Sequence, residues 1–205
     1  MNRLAGALVA APILLFGYGA VRLLDPTHSP GPVWTVSHLL YLAAFPALGL
    51  AAVALYGLLA DRGVGVRCAG FVLVVAGWVG VLSGIGQAVI DLLAGQAVDK
   101  AQKAVLASQW REAIPGSAFF YGTYPSLAQV AVVGLLALAA TGAARRVAWW
   151  AAPLVLVAGL VPTVVSLDLI PVAALAILPA VWPVHRQLRA GSEQPRPTLV
   201  PSDVR

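Results

Sequence analysis

Residues 68–94 read CAGFVLVVAGWVGVLSGIGQAVIDLLA, and this stretch decides the fold class of the chain. Its 27 residues include a single charged side chain, Asp91, close to the C-terminal end of the stretch. A helix needs about 20 predominantly apolar residues to cross the hydrocarbon core of a bilayer. The stretch is long enough to cross at a tilt, so it predicts a transmembrane helix.

The composition of the whole chain supports the same interpretation. Of its 205 residues, 60% are hydrophobic and 10% are charged, and the mean hydropathy is +0.87. Soluble domains carry about 25% charged residues. Five more apolar segments flank the stretch: Leu4–Val21, Val33–Ala60, Ala118–Thr141, Val147–Val165 and Leu169–Val184. We predict an all-α integral membrane protein in which residues 1–188 form a bundle of six transmembrane helices, the fifth and sixth making a short hairpin.

The positions of the basic residues predict the orientation of this bundle. Cytoplasmic loops of membrane proteins are enriched in Lys and Arg. With six spans, nine of the 13 Lys and Arg residues fall on the side that holds both termini. Both termini are therefore predicted to be cytoplasmic, in the plasma (inner) membrane of a bacterium, and the proline-rich residues 189–205 to be a disordered cytoplasmic tail. A cleaved signal peptide is the alternative for the first segment, although Gly17–Ala20 makes a poor cleavage site.

Most of the informative polar and aromatic side chains fall in the outer half of this map. In the second segment Trp34, His38 and Tyr41 are spaced by four and three residues, which places them on one helical face. The third segment carries a similar polar face, and tyrosines begin the fourth. We predict an outward-open pocket walled by these three segments, with the following ligand-binding residues: Trp34, His38, Tyr41, Ser83, Gln87, Asp91, Tyr121 and Tyr124.

Two aspartates are the candidate catalytic residues, because ionisable groups inside membrane spans usually face the bundle interior or a water-filled cavity. Asp91 ends the polar face of the third segment, Asp168 lies in the turn between the last two segments, and His38 is the candidate titrating neighbour. Ordinary alternatives stay open. Asp91 can simply end its helix at the interface, His38 can be a packed core histidine, Asp168 can be a turn residue, and the aromatic residues can form an interfacial belt.

Two further stretches bear on packing and on the membrane surface. Gly80 and Gly84 have the GxxxG spacing that lets transmembrane helices approach closely, although the spacing arises easily by chance in so glycine-rich a chain. The outer loop of residues 95–116 alternates loosely between apolar and charged side chains. It fits a short helix lying in the membrane interface or an ordinary solvated loop equally well.

Several classes of function are disfavoured by the sequence. The single cysteine, Cys68, allows no internal disulfide and no cysteine metal cluster. The motifs HExxH, CxxC and GxSxG are all missing, as is a glycine-rich phosphate loop with its lysine. The basic residues are scattered instead of clustered on one face, which argues against a nucleic-acid partner. No metal and no cofactor are predicted.

Three functional hypotheses remain. The first is a component that binds or transports a small solute or amphiphile. The second is a membrane-embedded enzyme in which an aspartic acid protonates an isoprenoid or lipid substrate, in the manner of terpene cyclases. In the first hypothesis the small residues Ala7 and Ala11 offer a docking face to a partner membrane subunit. The third is an accessory or structural subunit, whose Gly and Ala faces pack against a partner and whose outer polar residues form hydrogen bonds at that interface. The expected partners are therefore the lipid bilayer, a small hydrophobic ligand and a second membrane subunit.

Overall fold

All regular secondary structure in the described part of the chain is helical. The computed structural model describes residues 2–114, 116–117, 124–141 and 147–193. The prediction of an all-α protein is confirmed for these residues. The helices are α1 (Asn2–Ala5), α2 (Ala7–Arg22), α3 (Pro32–Gly57), α4 (Val64–Ala94), α5 (Lys100–Ala113), α6 (Ser126–Thr141), α7 (Val147–Val165) and α8 (Ile170–Glu193), with a 3-10 turn at Leu167–Leu169 before α8.

Three helical spans in the described residues are long and apolar enough to cross a membrane. They are α3, α4 and the span Leu167–Arg186, which joins the 3-10 turn to α8. Helices α2 and α6 are shorter but also apolar, and the 19 residues of α7 include no charged side chain. These lengths and compositions indicate a membrane protein.

The long helices pack side by side and run in alternating directions. Helix α2 packs against α3 and α8, α4 packs between α3 and α6, and α7 packs against α6 and α8. At one end of the bundle His185 Nδ1 of α8 lies 2.8 Å from the Ala5 carbonyl oxygen, and the Arg62 guanidinium donates to the Ala139 carbonyl at 3.2 Å. The first and last described helices therefore meet at one end, and the loops of the other end enclose the candidate site.

Glycines on α4 allow the closest helix contacts. A Cβ atom at Gly84 would lie 2.2 Å from the ring of Phe45 on α3, and one at Gly80 would lie 2.3 Å from the backbone nitrogen of Ala128 on α6. Both glycines with the predicted GxxxG spacing therefore lie at real contacts between helices. The close fit of α3 against α4 fixes the wall of the site, because Phe45 lies at its inner end.

The small residues of α2 have a different role from the predicted one. Ala7 and Ala11 are 8% and 2% exposed and belong to the apolar core that helices of this chain form. The expectation that they offer a docking face to another subunit is wrong, because their own bundle covers them.

The final helical hairpin differs in part from the prediction. Its turn falls where expected, and the Ser166 hydroxyl accepts a hydrogen bond from the Asp168 N–H at 3.2 Å. Helix α8 is not short, however, since it has 24 residues and continues beyond Leu188 to Glu193. Residues 194–205, most of the predicted disordered tail, lie outside the described residues. The segment between α4 and α6, predicted as an outer loop, contains a helix, α5, and the Asp99 side chain caps the N-terminus of this helix by accepting from the Gln102 N–H at 2.8 Å.

Candidate functional site

A cavity of about 540 Å³ lies between the helices, at the end of the bundle opposite the contact of Ala5 with His185. This volume is within the range of small-molecule sites, roughly 300–1,000 Å³. Five helices and the 3-10 turn contribute to its lining. The lining residues are Leu15, Tyr18, Arg22, Trp34, His38, Tyr41, Phe45, Gln87, Asp91, Pro125, Ser126, Gln129, Leu167, Ile170, Ala173, Ala174 and Ile177.

Five of the eight predicted ligand-binding residues lie together in this cavity. Trp34, His38 and Tyr41 line it from α3, and Gln87 and Asp91 line it from α4. The helical spacing in the sequence predicted each of these faces, and the structure brings the two faces together. Their role in ligand binding stays a prediction.

The other three predicted residues do not line the cavity. Ser83 is fully buried one turn below Gln87, and its hydroxyl has no hydrogen-bond partner among the described residues. Tyr124 is 42% exposed and precedes a lining residue, Pro125, without lining the cavity itself. Tyr121 lies outside the described residues.

His38 and Asp91 face each other across the cavity wall. The Nδ1 atom of His38 lies 2.8 Å from the Trp34 carbonyl oxygen, so we assign a proton to Nδ1. The Nε2 atom lies 3.8 Å from Asp91 Oδ2. With Nδ1 protonated, Nε2 of a neutral histidine and an ionised carboxylate would both be acceptors. At 3.8 Å the two atoms lie beyond hydrogen-bond distance but close enough for an electrostatic interaction.

The Trp34 indole fixes this arrangement through three contacts. Its Nε1–H donates to the Asp91 carbonyl oxygen at 2.8 Å, and its ring stacks on the His38 ring at a centroid distance of 3.9 Å. Lys103 of α5 places its ammonium nitrogen 3.7 Å from the Trp34 ring centroid, a cation–π contact. Gly95 leaves room for the indole, because a Cβ there would lie 2.4 Å from Trp34 Cδ1.

Aromatic rings form the wall between α2 and α3. The rings of Tyr18 and Tyr41 are 4.8 Å apart, and Phe45 meets Tyr41 edge-on at 4.8 Å. The Tyr18 hydroxyl accepts from the Arg22 guanidinium at 3.4 Å. Tyr18 and Arg22 were not among the site residues predicted from the sequence. Their spacing of four residues at the outer end of the first segment is the signal that could have found them.

A charged rim joins the loops around the mouth of the cavity. Arg22 Nε donates to Asp168 Oδ1 at 3.3 Å, and His28 Nε2 lies 3.6 Å from the same oxygen. Lys103 also donates to the His28 carbonyl oxygen, and partial burial lowers the pKa of the Lys103 ammonium. Asp168 was predicted as a second acid in the pocket. It is 47% exposed and does not line the cavity, so its visible role is to hold the rim together.

The loop between α2 and α3 is folded around another carboxylate. Asp25 accepts hydrogen bonds from the Thr27 hydroxyl, the Thr27 N–H and the Ser29 N–H. These bonds, that of the Thr27 hydroxyl above all, lower the pKa of the Asp25 carboxyl group below its usual value. These bonds hold the loop, which includes His28, in a fixed conformation at the edge of the cavity.

The predicted walls of the pocket were incomplete. The second, third and fourth segments do contribute, as α3, α4 and α6, but α2, the 3-10 turn and α8 complete the enclosure. Within the described residues, no three His, Cys, Asp or Glu side chains cluster closely enough to hold a metal ion. The site therefore offers proton-bearing groups, amides and aromatic faces.

No protein-family model, curated protein or solved structure matches this chain.

Proposed function

We propose that this chain is a six-span plasma (inner) membrane protein whose cavity opens to the outside and binds a small solute or amphiphile. The alternating helix directions support six spans. The contact between His185 and Ala5 supports both termini lying on one side. Arg62, Arg186 and Arg189 belong to that same end, which favours a cytoplasmic location for it.

One observation carries the binding function. A cavity of about 540 Å³ brings proton-bearing groups of two helices against an aromatic wall, with His38 Nε2 and Asp91 Oδ2 3.8 Å apart. Ionisable groups inside membrane spans are costly, and they usually face a cavity or a binding site. Both residues also line the cavity, where a ligand would meet them, and this supports a role in binding.

Native mass spectrometry of the purified protein tests this proposal. The wild type is expected to retain a small molecule that Asp91→Asn and His38→Ala lose without losing their helical circular dichroism. Asp61→Asn is the matched control, because Asp61 is an exposed aspartate in the α3–α4 turn at the opposite end of the bundle. The proposal fails if nothing is retained and all three variants behave like the wild type. The accessory-subunit hypothesis would then lead.

The His38–Asp91 pair also supports a second candidate, a membrane-embedded enzyme. A carboxylic acid next to stacked aromatic rings can protonate an isoprenoid or lipid double bond, and the ring faces stabilise the cation that forms. Loss of a proton from that cation restores the acid and leaves an isomer of the same mass. This candidate therefore predicts that a retained isoprenoid is converted by the wild type to an isomer, seen as a changed chromatographic retention time at unchanged mass. With Asp91→Asn it should bind without changing. If the wild type and Asp91→Asn both leave the molecule unchanged, binding remains the proposed function.

A further inference from the structure

Two opposite charges line the large cavity from different walls. Arg22 at the end of α2 and Asp91 near the end of α4 both belong to its lining, and their side chains are only 18% and 19% exposed. Helix α3 lies between α2 and α4 and packs against both. Charged groups that are largely removed from water need counter-charges and hydrogen-bond partners. A ligand in this cavity therefore meets one partly desolvated group of each sign.

The Arg22 guanidinium can bind an anionic group. It donates from Nε to Asp168 Oδ1 at 3.3 Å and from Nη1 to the Tyr18 hydroxyl at 3.4 Å. These bonds use two of its five N–H donors, so it can donate to a further acceptor in the cavity. Carboxylate and phosphate groups are the acceptors that fit the planar guanidinium best. Arg22 therefore suits the anionic end of a ligand.

Asp91 and the rings beside it suit a cationic group. The Trp34 indole, which donates to the Asp91 carbonyl oxygen, already holds the Lys103 ammonium 3.7 Å from its ring centroid. The rings of Tyr41 and Phe45 line the same cavity and meet edge-on at 4.8 Å. Aromatic faces attract ammonium groups, including quaternary ones. A cationic group can thus lie near the Asp91 carboxylate and against the aromatic wall.

The charges around the mouth argue against a ligand with a net negative charge. Four basic and five acidic residues lie at this end of the bundle, which gives a net charge of −1 when the histidines are neutral. They are Arg22, Lys100, Lys103, Arg111, Asp25, Asp91, Asp99, Glu112 and Asp168. A net cation gains from this field, but Arg22 in the lining would repel it. A zwitterion supplies a counter-charge to Asp91 and to Arg22 at once.

We propose that the cavity binds a small zwitterion, whose cationic group lies between Asp91 and the aromatic wall and whose anionic group is bound by Arg22. The inference rests on the proposed binding function and specifies the charge of the ligand. A free solute and a zwitterionic lipid head group share this chemistry, and the experiments below separate them.

Four molecules of nearly the same shape test the charge requirement. Isothermal titration calorimetry of the wild type in dodecyl maltoside, with protein-free micelles as the blank, would compare 4-(trimethylammonio)butanoate with three analogues. These are the cation 4-(trimethylammonio)butanamide, the anion 5,5-dimethylhexanoate and the uncharged 5,5-dimethylhexanamide. We expect the zwitterion to bind at least about tenfold more tightly than each analogue, the value of one charge-assisted hydrogen bond.

The same titrations distinguish failure of this inference from failure of the binding function. If an analogue binds as tightly as the zwitterion, binding stands and the proposed charge is wrong. If no probe binds, the zwitterion proposal is overturned, and the retention of a molecule in native mass spectrometry still decides the binding function.

Nanodiscs separate the two sources of the zwitterion. If a lipid head group enters the cavity, 4-(trimethylammonio)butanoate should bind at least about tenfold more weakly in phosphatidylcholine than in phosphatidylglycerol nanodiscs, because the zwitterionic lipid competes for the site. Equal affinity in both lipids indicates a free solute.

Two variants assign the two charges. Arg22→Gln should remove the advantage of the zwitterion over the cationic amide, and Asp91→Asn should remove its advantage over 5,5-dimethylhexanoate. Arg62→Gln and Asp61→Asn are matched controls at the opposite end of the bundle and should keep both advantages. A general disturbance of the fold would weaken all probes together, so the ratios between probes isolate the two contacts. If neither site variant folds, the comparison of probes on the wild type decides. Unchanged ratios in a folded Arg22→Gln or Asp91→Asn protein overturn the proposal.

Discussion

Replacing Gly84 by alanine tests the helix contact that forms the inner wall of the cavity. The new Cβ would lie 2.2 Å from the Phe45 ring, against roughly 3.5–4.0 Å for an ordinary carbon–carbon contact. Phe45 is 2% exposed and packs edge-on against Tyr41, so its ring has little room to move. Overpacking of this kind costs typically 1–3 kcal/mol, and we take the upper value because the overlap exceeds 1 Å.

Alanine also has a better helix propensity than glycine by about 1 kcal/mol, so the net loss expected for Gly84→Ala is about 2 kcal/mol. The assay is reversible unfolding in mixed dodecyl maltoside and sodium dodecyl sulfate micelles, followed by circular dichroism. Gly65→Ala is the matched control on the same helix, since a Cβ there meets nothing within 4 Å. It should be neutral or slightly stabilising.

A second substitution, at Phe45, separates steric overlap from other causes of the lower stability expected for Gly84→Ala. Phe45→Leu removes the outer ring atoms that meet the new methyl group, so the double variant Phe45→Leu, Gly84→Ala should be more stable than the sum of the two single effects by at least about 1 kcal/mol. The reasoning is refuted if Gly84→Ala is as stable as Gly65→Ala, or if the two effects simply add.

Three further predictions concern the rim of the cavity. A double-mutant cycle of Trp34→Phe and Lys103→Met should give a coupling free energy of about 1 kcal/mol, because the half-buried ammonium lies over the indole; a coupling below about 0.3 kcal/mol would contradict the contact. Thr27→Val removes the hydroxyl that lowers the pKa of Asp25. A carboxyl group with a lowered folded-state pKa adds stability above its unfolded pKa, and that stability is lost as pH falls through the folded value. Thr27→Val should therefore raise the Asp25 pKa, which carboxyl ¹³C NMR titrations measure. It should also reduce the loss of thermal stability between about pH 5 and pH 2. An unchanged Asp25 titration would count against the hydrogen bond. Asp168→Asn should destabilise by at most about 1 kcal/mol, less at high salt, since the ion pair is partly exposed; a larger, salt-independent loss would indicate a different role.

The sequence predicted the helices well because hydropathy over a bilayer-length window is a local property. Residues 68–94 fall within a helix that the structure extends from Val64 to Ala94. The length of α8 was underestimated because its last turns carry His185 and basic residues, which end an apolar window without ending the helix. Charge in a sequence marks where a membrane span ends, and backbone hydrogen bonding decides where the helix ends.

The site was predicted in part for a similar reason. Spacing of three and four residues identifies a face within one helix, so His38 and Gln87 were found. It does not set how helices rotate against each other, which depends on contacts such as that of Gly84 with Phe45. A different contact, that of Tyr18 with Tyr41, places Tyr18 of α2 in the wall, although it was not predicted there.

Labelling of a cysteine at position 87 tests the central claim most directly, which is that the cavity opens to the outside. The variant Gln87→Cys in a Cys68→Ser background would be treated with a membrane-impermeant maleimide in intact cells. Leu82→Cys is the matched control, because Leu82 is 58% exposed on the same helix but faces the surroundings of the bundle, where lipid excludes the reagent. We expect position 87 to be labelled from the outside and position 82 not to be labelled. Labelling of position 87 only after the cells are broken, or labelling of both positions alike, would contradict an outward-open cavity.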